Sequence, residues 1–292
     1  MVYTRTGDFL IGLIGLALLR GRIDDRLGSR AFCDARLDDL RRVLAHWDAE
    51  PALHDGVECD TISPTDGYAL WAPRYDADPN PLIDLDRQAL EPRLRRQPPG
   101  RALDVACGTG RWAAYLAQRG HVVAGVDASP AMLAIAQAKL PGARFDRGEL
   151  DHLPHAAGSI DLLVCSLALA YAPDLGRAFG EFARVLRPGG CALVSDMHHL
   201  SLPLGGIVRQ HLADGRTVRL RTYQRLPTDY ISAGLAAGLS LVDGAEVPWP
   251  DLPDGGGPTA QRWCPDAARA AYVGTPALLT LEFRRPDPGG QG

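Results

Sequence analysis

Apolar positions recur at two different spacings along this chain. Over residues 6–48 they fall at helical spacing. Phe9 to Leu19 is an eleven-residue apolar run, and LDDLRRVLAHW places apolar residues at 37, 40, 43, 44 and 47. Residues 49–66, with Pro51, Gly56 and Pro64, read as irregular. GYALWAPRY, ending at Tyr75, forms a short segment that DADPNP breaks. Leu82 to Leu94 reads as an amphipathic helix and RRQPPG as a linker. The pattern then shortens: a strand from Ala102 to Ala106, a glycine turn from Cys107 to Gly110, a helix from Arg111 to Arg119, and a strand from Val122 to Val126 that ends on Asp127.

Further on, residues 197–227 read as an insertion. In it IVRQHLADGRTVRLRTY predicts two strands around Asp214-Gly215. Thr228 is placed to cap a helix from Asp229 to Ala237, which Gly238 ends. LSLVDGAEVP and PALLTLEFRR read as the last two strands, VPWPDLPDGGGPT as a loop and PDPGGQG as a disordered tail.

A β-α-β unit with glycines in its first turn and an acid closing its second strand suits a nucleoside with a ribose. Without side chains, Gly108 and Gly110 allow a tight turn and close approach of a ligand to the backbone. Asp127 can accept both ribose hydroxyls. Two cofactor classes compete. The dinucleotide fingerprint is G-x-G-x-x-G, and Ala113 stands where its third glycine would fall. Asp104, four positions before Gly108, occupies a place that is usually apolar in dinucleotide folds, and it favours S-adenosylmethionine.

From Arg101 to Asp196 the chain resembles the class I S-adenosylmethionine-dependent methyltransferases, in their ubiquinone/menaquinone-methyltransferase-like branch. The resemblance is carried by RALDVACGTG, by GVDASPAML, by GELDHLPHAAGSIDLLVCSLAL for the third and fourth strands, and by RVLRPGG ahead of CALVSD. It implies an α/β fold, a Rossmann-like seven-stranded sheet with helices on both faces and the seventh strand inserted antiparallel. Residues 1–97 would be a helical cap or lid, 98–284 the methyltransferase core, and 285–292 the tail.

The same resemblance implies S-adenosyl-L-methionine as cofactor and S-adenosyl-L-homocysteine as product. Asp104 would meet the cofactor's ammonium group, with the backbone around Ala106, Gly108 and Gly110 at its amino-acid end. Asp127, followed by Ala128, would hold the ribose. Met132 and Leu150 would sandwich the adenine, and Glu149 would receive its amino group where the family usually has Asp. Ser166 would lie near the methyl group. Tyr68, Trp71 and Tyr75 resemble an aromatic segment laid over the cofactor, and aromatic faces suit a sulfonium. Packing of one helix face is the plain alternative for these three.

Methyl transfer needs a positioned nucleophile and a base only if that nucleophile arrives protonated. His198, just past the fifth strand, is the candidate base and Tyr171 its orienting partner, since ligands in open α/β sheets lie beyond the carboxyl ends of the strands. Asp196, His198 and His199 lack a fourth ligand at familiar spacing, so no metal is expected. Arg209, Arg216, Arg219, Arg221 and Arg225 fall in the insertion. They read either as a clamp for a carboxylate or phosphate or as a solvated hairpin face.

The substrate expected is a small-molecule acceptor methylated on O, N or C, in secondary metabolism. A cofactor-binding sensor or scaffold without turnover is the alternative, and a nicotinamide oxidoreductase a weaker third. Charge supports a small molecule: the net −4 gives no general attraction to nucleic acid or anionic membrane. Base methylation is disfavoured too, because CSLALAYAP replaces the Asn/Asp-Pro-Pro-aromatic motif. The six cysteines form no C-x-x-C pair and read as buried thiols in a reducing cytoplasm. The Phe9–Leu19 run is too short to cross a bilayer and lacks a cleavage site after it. It predicts a buried cap helix, or a contact that makes a homodimer through the N-terminal helix.

Overall fold

The computed structural model describes residues 1–251 and 256–287. Of the expected tail, residues 288–292 lie outside the described residues, as do 252–255 of the loop before it. The described residues divide into two units: 62–199, 220–247 and 278–287 form one, and 1–61, 200–219, 248–251 and 256–277 the other.

The first unit is built on a sheet of seven strands: β1 (Arg101–Val105), β2 (Val122–Asp127), β3 (Arg144–Arg147), β4 (Ile160–Ser166), β5 (Leu186–Met197), β6 (Ser240–Pro248) and β7 (Pro276–Arg284). Their order is β6-β7-β5-β4-β1-β2-β3. β1 lies parallel to both β2 and β4, β2 to β3 and β4 to β5, whereas β7 runs antiparallel to β5 with Thr280 opposite Ser195. Parallel neighbours need crossovers, and helices Arg111–Gln118 and Leu175–Val185 supply two of them.

Both sheet faces are apolar because successive residues point to opposite sides. Leu103, Leu163, Cys165, Ala192 and Val194 pack with Phe179, Phe182 and Tyr230 of helices Leu175–Val185 and Pro227–Ala236. The alternate residues Ala102, Leu162, Val164 and Leu193 pack with Trp112 and Leu116 of the first crossover helix, and with Leu90 and Leu94 of helix Pro81–Leu94. Two local expectations fail. The third strand ends before Gly148, because RFDR is a four-residue edge strand with one large apolar side chain and leaves no periodic signal. Helix Pro227–Ala236 is capped by Asp229, whose carboxylate accepts the Leu226 N–H, so Thr228 lies inside it.

In the second unit the N-terminal apolar run is the centre of a helix cluster. Helix Thr6–Arg20 buries Leu10, Leu13, Ile14 and Ala17 against Val43 and Leu53, and against Ala260, Trp263, Ala267 and Ala271 of the helices Gly257–Trp263 and Pro265–Tyr272. The chain's own helices thus cover the apolar face that suggested a homodimer. No helix among the described residues is long and apolar enough to cross a membrane.

The stretch expected to be irregular contains a strand, Gly56–Ile62, paired antiparallel with Val2–Arg5. Its charged Glu58 and Asp60 flank a single fully buried residue, Cys59, so no alternation marks it. Pro51 and Pro64, read as breakers, open the helices Pro51–His54 and Pro64–Trp71, where a missing N–H does no harm. The hairpin around Asp214-Gly215 forms as expected, with Gln210 opposite Val218. Arg216 pairs with Asp214 and Asp60, and Arg219 donates to Thr61.

Candidate active site

The carboxyl ends of β1, β2 and β4 meet in tight turns, and the backbone there is strained. Ala106 and Leu167, just past β1 and β4, hold φ of 55° and 56°. Such left-handed values cost roughly 1–3 kcal/mol each and persist only where the surroundings impose them. Backbone bonds from Cys107 N–H to Val126 (2.9 Å) and from Leu167 N–H to Ser195 (2.8 Å) do so. Gly108 and Gly110 also have positive φ, 54° and 79°. A Cβ on Gly108 would meet nothing within 4 Å, whereas one on Gly110 would lie 3.1 Å from the Ala136 Cβ. The first glycine therefore leaves open space, and the second permits close packing under the helix it starts.

Asp127 ties these turns together. One carboxylate oxygen accepts the Gly108 N–H and the other the Ser129 N–H, both at 2.8 Å. Ser129 in turn caps helix Pro130–Lys139. Burial raises the Asp127 carboxyl above the usual carboxylate range, and its backbone donors oppose that rise. Asp104 is 2% exposed and accepts the Ala113 N–H at 2.8 Å. Burial pushes its carboxyl up to about 7.

A cavity of about 550 Å³ opens over these strand ends, within the range of about 300–1,000 Å³ usual for small-molecule sites. Tyr68, Tyr75, Ala106, Gly108, Asp127, Ala128, Met132, Glu149, Leu150, Ser166 and Tyr171 all line it. Asp104 lines a smaller pocket of about 30 Å³ whose walls include Tyr75, Ala106, Gly108 and Ser166. Burial, helped by the Asp151 charge, raises the Glu149 carboxyl. Tyr68 donates its hydroxyl proton to the Tyr171 hydroxyl at 3.1 Å. Burial raises both phenols above their ordinary value.

Three expected residues line neither space. Gly110 acts through the backbone, as the left-handed N-cap of helix Arg111–Gln118. Trp71 stacks behind Tyr68 with ring centres 6.0 Å apart, and its indole N–H donates to Asp78 at 2.8 Å. His198 is 3% exposed, with Nε2 3.4 Å from the Glu246 carboxylate and its ring against His199. Strand β5 pairs with β4 only as far as Ser195 but continues beside β7 to Met197, which carries the histidine past the β4 end. Burial lowers its imidazole further, with the His199 charge adding to that.

Asp86, not expected from sequence, organises the floor. It is fully buried on helix Pro81–Leu94 and accepts from Arg111 (2.7 Å), Ser166 (2.8 Å), Trp112 (3.2 Å) and Ser195. The available signal was an acid beside Leu85 on a helix whose other buried residues are apolar. Arg111 was also missed. Its second terminal nitrogen, Nη1, is buried with no hydrogen-bond partner among the described residues, and the residue lines the smaller pocket. Thr109 donates to Asp76 at 2.7 Å and Lys139 pairs with the same carboxylate at 2.9 Å, so the segment expected as a break is tied to the glycine turn.

Residues 103–194 match the family profile described as a methyltransferase domain. The chain is 38% identical over 133 residues to a demethylmenaquinone methyltransferase of Chlorobaculum parvum, covering 42% of this chain and 55% of that one. It is 43% identical over 186 residues to a trans-aconitate 2-methyltransferase of Deinococcus radiodurans, covering 58% and 66%. The chain thus spans between about half and two thirds of the length of these relatives. Among solved structures, the DhpI–SAH complex superposes with a TM-score of 0.55 at 25% identity, covering 77% of this chain and 95% of that one. The strand order, the acid-closed second strand and these similarities agree: the chain belongs to the class I S-adenosylmethionine-dependent methyltransferases.

Proposed function

We infer that the chain methylates a small molecule with S-adenosylmethionine as donor, in the cytoplasm. The observation that carries this reading is the Asp127 carboxylate. It sits at the end of β2 on the cavity wall, already joined to the glycine turn, and each oxygen retains a lone pair for a ribose hydroxyl. The buried unpartnered N–H of Arg111, beside the Asp104 carboxyl, fits the carboxylate and ammonium of an amino-acid tail. Bound there, the cofactor supplies an electrophilic methyl group on a sulfonium. Tyr68 and Tyr75 offer aromatic faces toward such a charge. Met132 and Leu150 give apolar walls to a base, and Glu149 an acceptor for its amino group. Six unpaired cysteines support a reducing compartment.

Calorimetric titration with S-adenosylhomocysteine tests the reading. The wild type is expected to bind it and not NAD. Asp127→Ala should weaken binding by about 1.5–3 kcal/mol, the range for hydrogen bonds to a charged group, and Asp127→Asn by less. NAD binding without S-adenosylhomocysteine binding, or an alanine variant of undiminished affinity, refutes it.

A further inference from the structure

We propose that the acceptor is a small di- or tricarboxylic acid, anchored by one carboxylate on Arg221 and methylated on another. The proposal rests on the cofactor reading above and deepens it.

The first observation is the charge on the cavity wall. Two arginines line it. Arg177 is neutralised by Asp151 at 3.0 Å. Arg221, one of the insertion arginines, has no ion pair or side-chain hydrogen bond among the described residues, although its backbone is held by the Ile62 carbonyl at 3.0 Å. Two residues on, the Tyr223 N–H donates to Ala170 at 2.7 Å, beside Tyr171. The segment is therefore fixed along the β4 side of the cavity, and the exposed Arg221 guanidinium, unpaired among the described residues, has a planar fork that matches a carboxylate.

The second observation is what stands near the reacting end. Among the described residues that line the cavity there is no histidine or lysine. Of the four tyrosines on the wall, Tyr68, Tyr75 and Tyr171 are made weaker acids by burial and supply no phenolate, and the fourth, Tyr223, stands two residues from Arg221. In the cofactor reading Asp127 is taken up by the ribose, Asp174 caps helix Leu175–Val185, and Asp151 holds Arg177. Glu149 follows β3, three strand spacings from β4, or roughly 14 Å at about 4.8 Å each. A hydroxyl or ammonium acceptor would find no group placed to take its proton. A carboxylate has none to lose at neutral pH.

The two observations call for two carboxylates. One paired with Arg221 has its lone pairs engaged by strong charge-assisted bonds and is a poor nucleophile. A second one, among the tyrosines, can be oriented by the Tyr171 proton, which is free because Tyr68 is the donor of their mutual bond. Its oxygen lone pair forms the new O–C bond as the methyl C–S bond breaks and that bond's electron pair stays on sulfur. No proton moves. The products are a methyl ester and S-adenosylhomocysteine, and one negative and one positive charge disappear. Loss of charge in the transition state is easier the less water surrounds the reacting groups.

The test gives the full chain S-adenosylmethionine labelled in the methyl group, with citrate, fumarate or glutarate, each beside its neutral amide, and with p-cresol and benzylamine. Label is expected in the acids alone and should be released as methanol by mild alkali, as methyl esters release it. Arg221→Ala should raise KM for the acid at least tenfold with kcat changed less than threefold, while S-adenosylhomocysteine affinity stays at the wild-type value. Arg221→Lys should recover part of the loss. Label stable to alkali in the cresol or amine overturns the proposal. So does the absence of acid methylation in a protein that binds S-adenosylhomocysteine, or an unchanged KM in Arg221→Ala. Failure of the wild type to bind S-adenosylhomocysteine removes the cofactor reading and this proposal with it.

Discussion

Asp104 and Asp196 show how burial at single residues sets protonation. Burial pushes both carboxyls up to about 7, so in the folded chain each holds its proton well above the ordinary carboxylate value of about 3.9. Between about pH 4 and 7 the fold binds protons that the unfolded chain has released. Their contribution to stability therefore falls as pH rises through that window and levels off above it. His121, His155 and His198, all lowered by burial, act in the opposite direction near its upper end. The informative quantity is thus a difference. Asp104→Asn keeps an acceptor for the Ala113 N–H and carries no charge. Relative to wild type it should be more favourable at pH 7.5 than at pH 5.5 in urea denaturation. A relative stability that does not change with pH would show that Asp104 is ionised in the fold throughout. Asp104 and Asp127 were legible in the sequence because each stands at a fixed place on a strand of a β-α-β unit. Their protonation was not, because it depends on what covers them.

At the scale of elements, helix Pro81–Leu94 does more than pack. Leu85, Leu90 and Leu94 were visible as an apolar stripe, and the helix forms where that stripe predicts. Asp86 within the same buried surface gathers Arg111 and Trp112 from the first crossover helix, Ser166 from β4 and Ser195 from β5. Removing it leaves the Arg111 guanidinium beside a buried vacancy. Asp86→Ala should destabilise the fold by about 3–5 kcal/mol, the range for breaking a buried charge pair from one side. Chemical denaturation measures this directly, and a loss below about 1 kcal/mol would reduce Asp86 to a solvated acid. The strand β5 teaches the converse. It was correctly located, but its length past Ser195 carries His198 to Glu246. The end of a strand in sequence did not tell on which neighbour it would finish.

For the whole molecule, the consequence of interest is that neither unit is a continuous stretch of chain. A cap at residues 1–97 suggested a piece that could be cut away. The helix Thr6–Arg20 instead shares one core with Ala260, Trp263, Ala267, Ala268 and Ala271, more than 240 residues later. Deleting residues 1–61 would uncover those side chains. The truncated protein is expected to be insoluble, or to bind a hydrophobic dye strongly with a lowered melting temperature, because the lost burial is worth about 25 cal/mol per Å². A soluble truncated protein with an undiminished melting temperature would show that the C-terminal helices hold without it.

The sequence alone determined the parts whose physics is local. Gly108 and Gly110 take the positive φ of a tight turn at no steric cost, and a continuous apolar run such as Leu162 to Cys165 needs a sheet covered on both faces. An acid that closes a strand beside that turn meets the same backbone wherever this unit forms, so Asp127 could be placed in advance. Tertiary structure decided whatever depends on partners far apart in the chain. It took His198 out of the cavity wall and brought Arg221 into it, sent Trp71 behind Tyr68, and assembled the Asp86 network from residues 86, 111, 166 and 195. Spacing along a strand says which face a side chain takes. Which other strand ends there, and what charge stands opposite, follows only from how the distant segments pack.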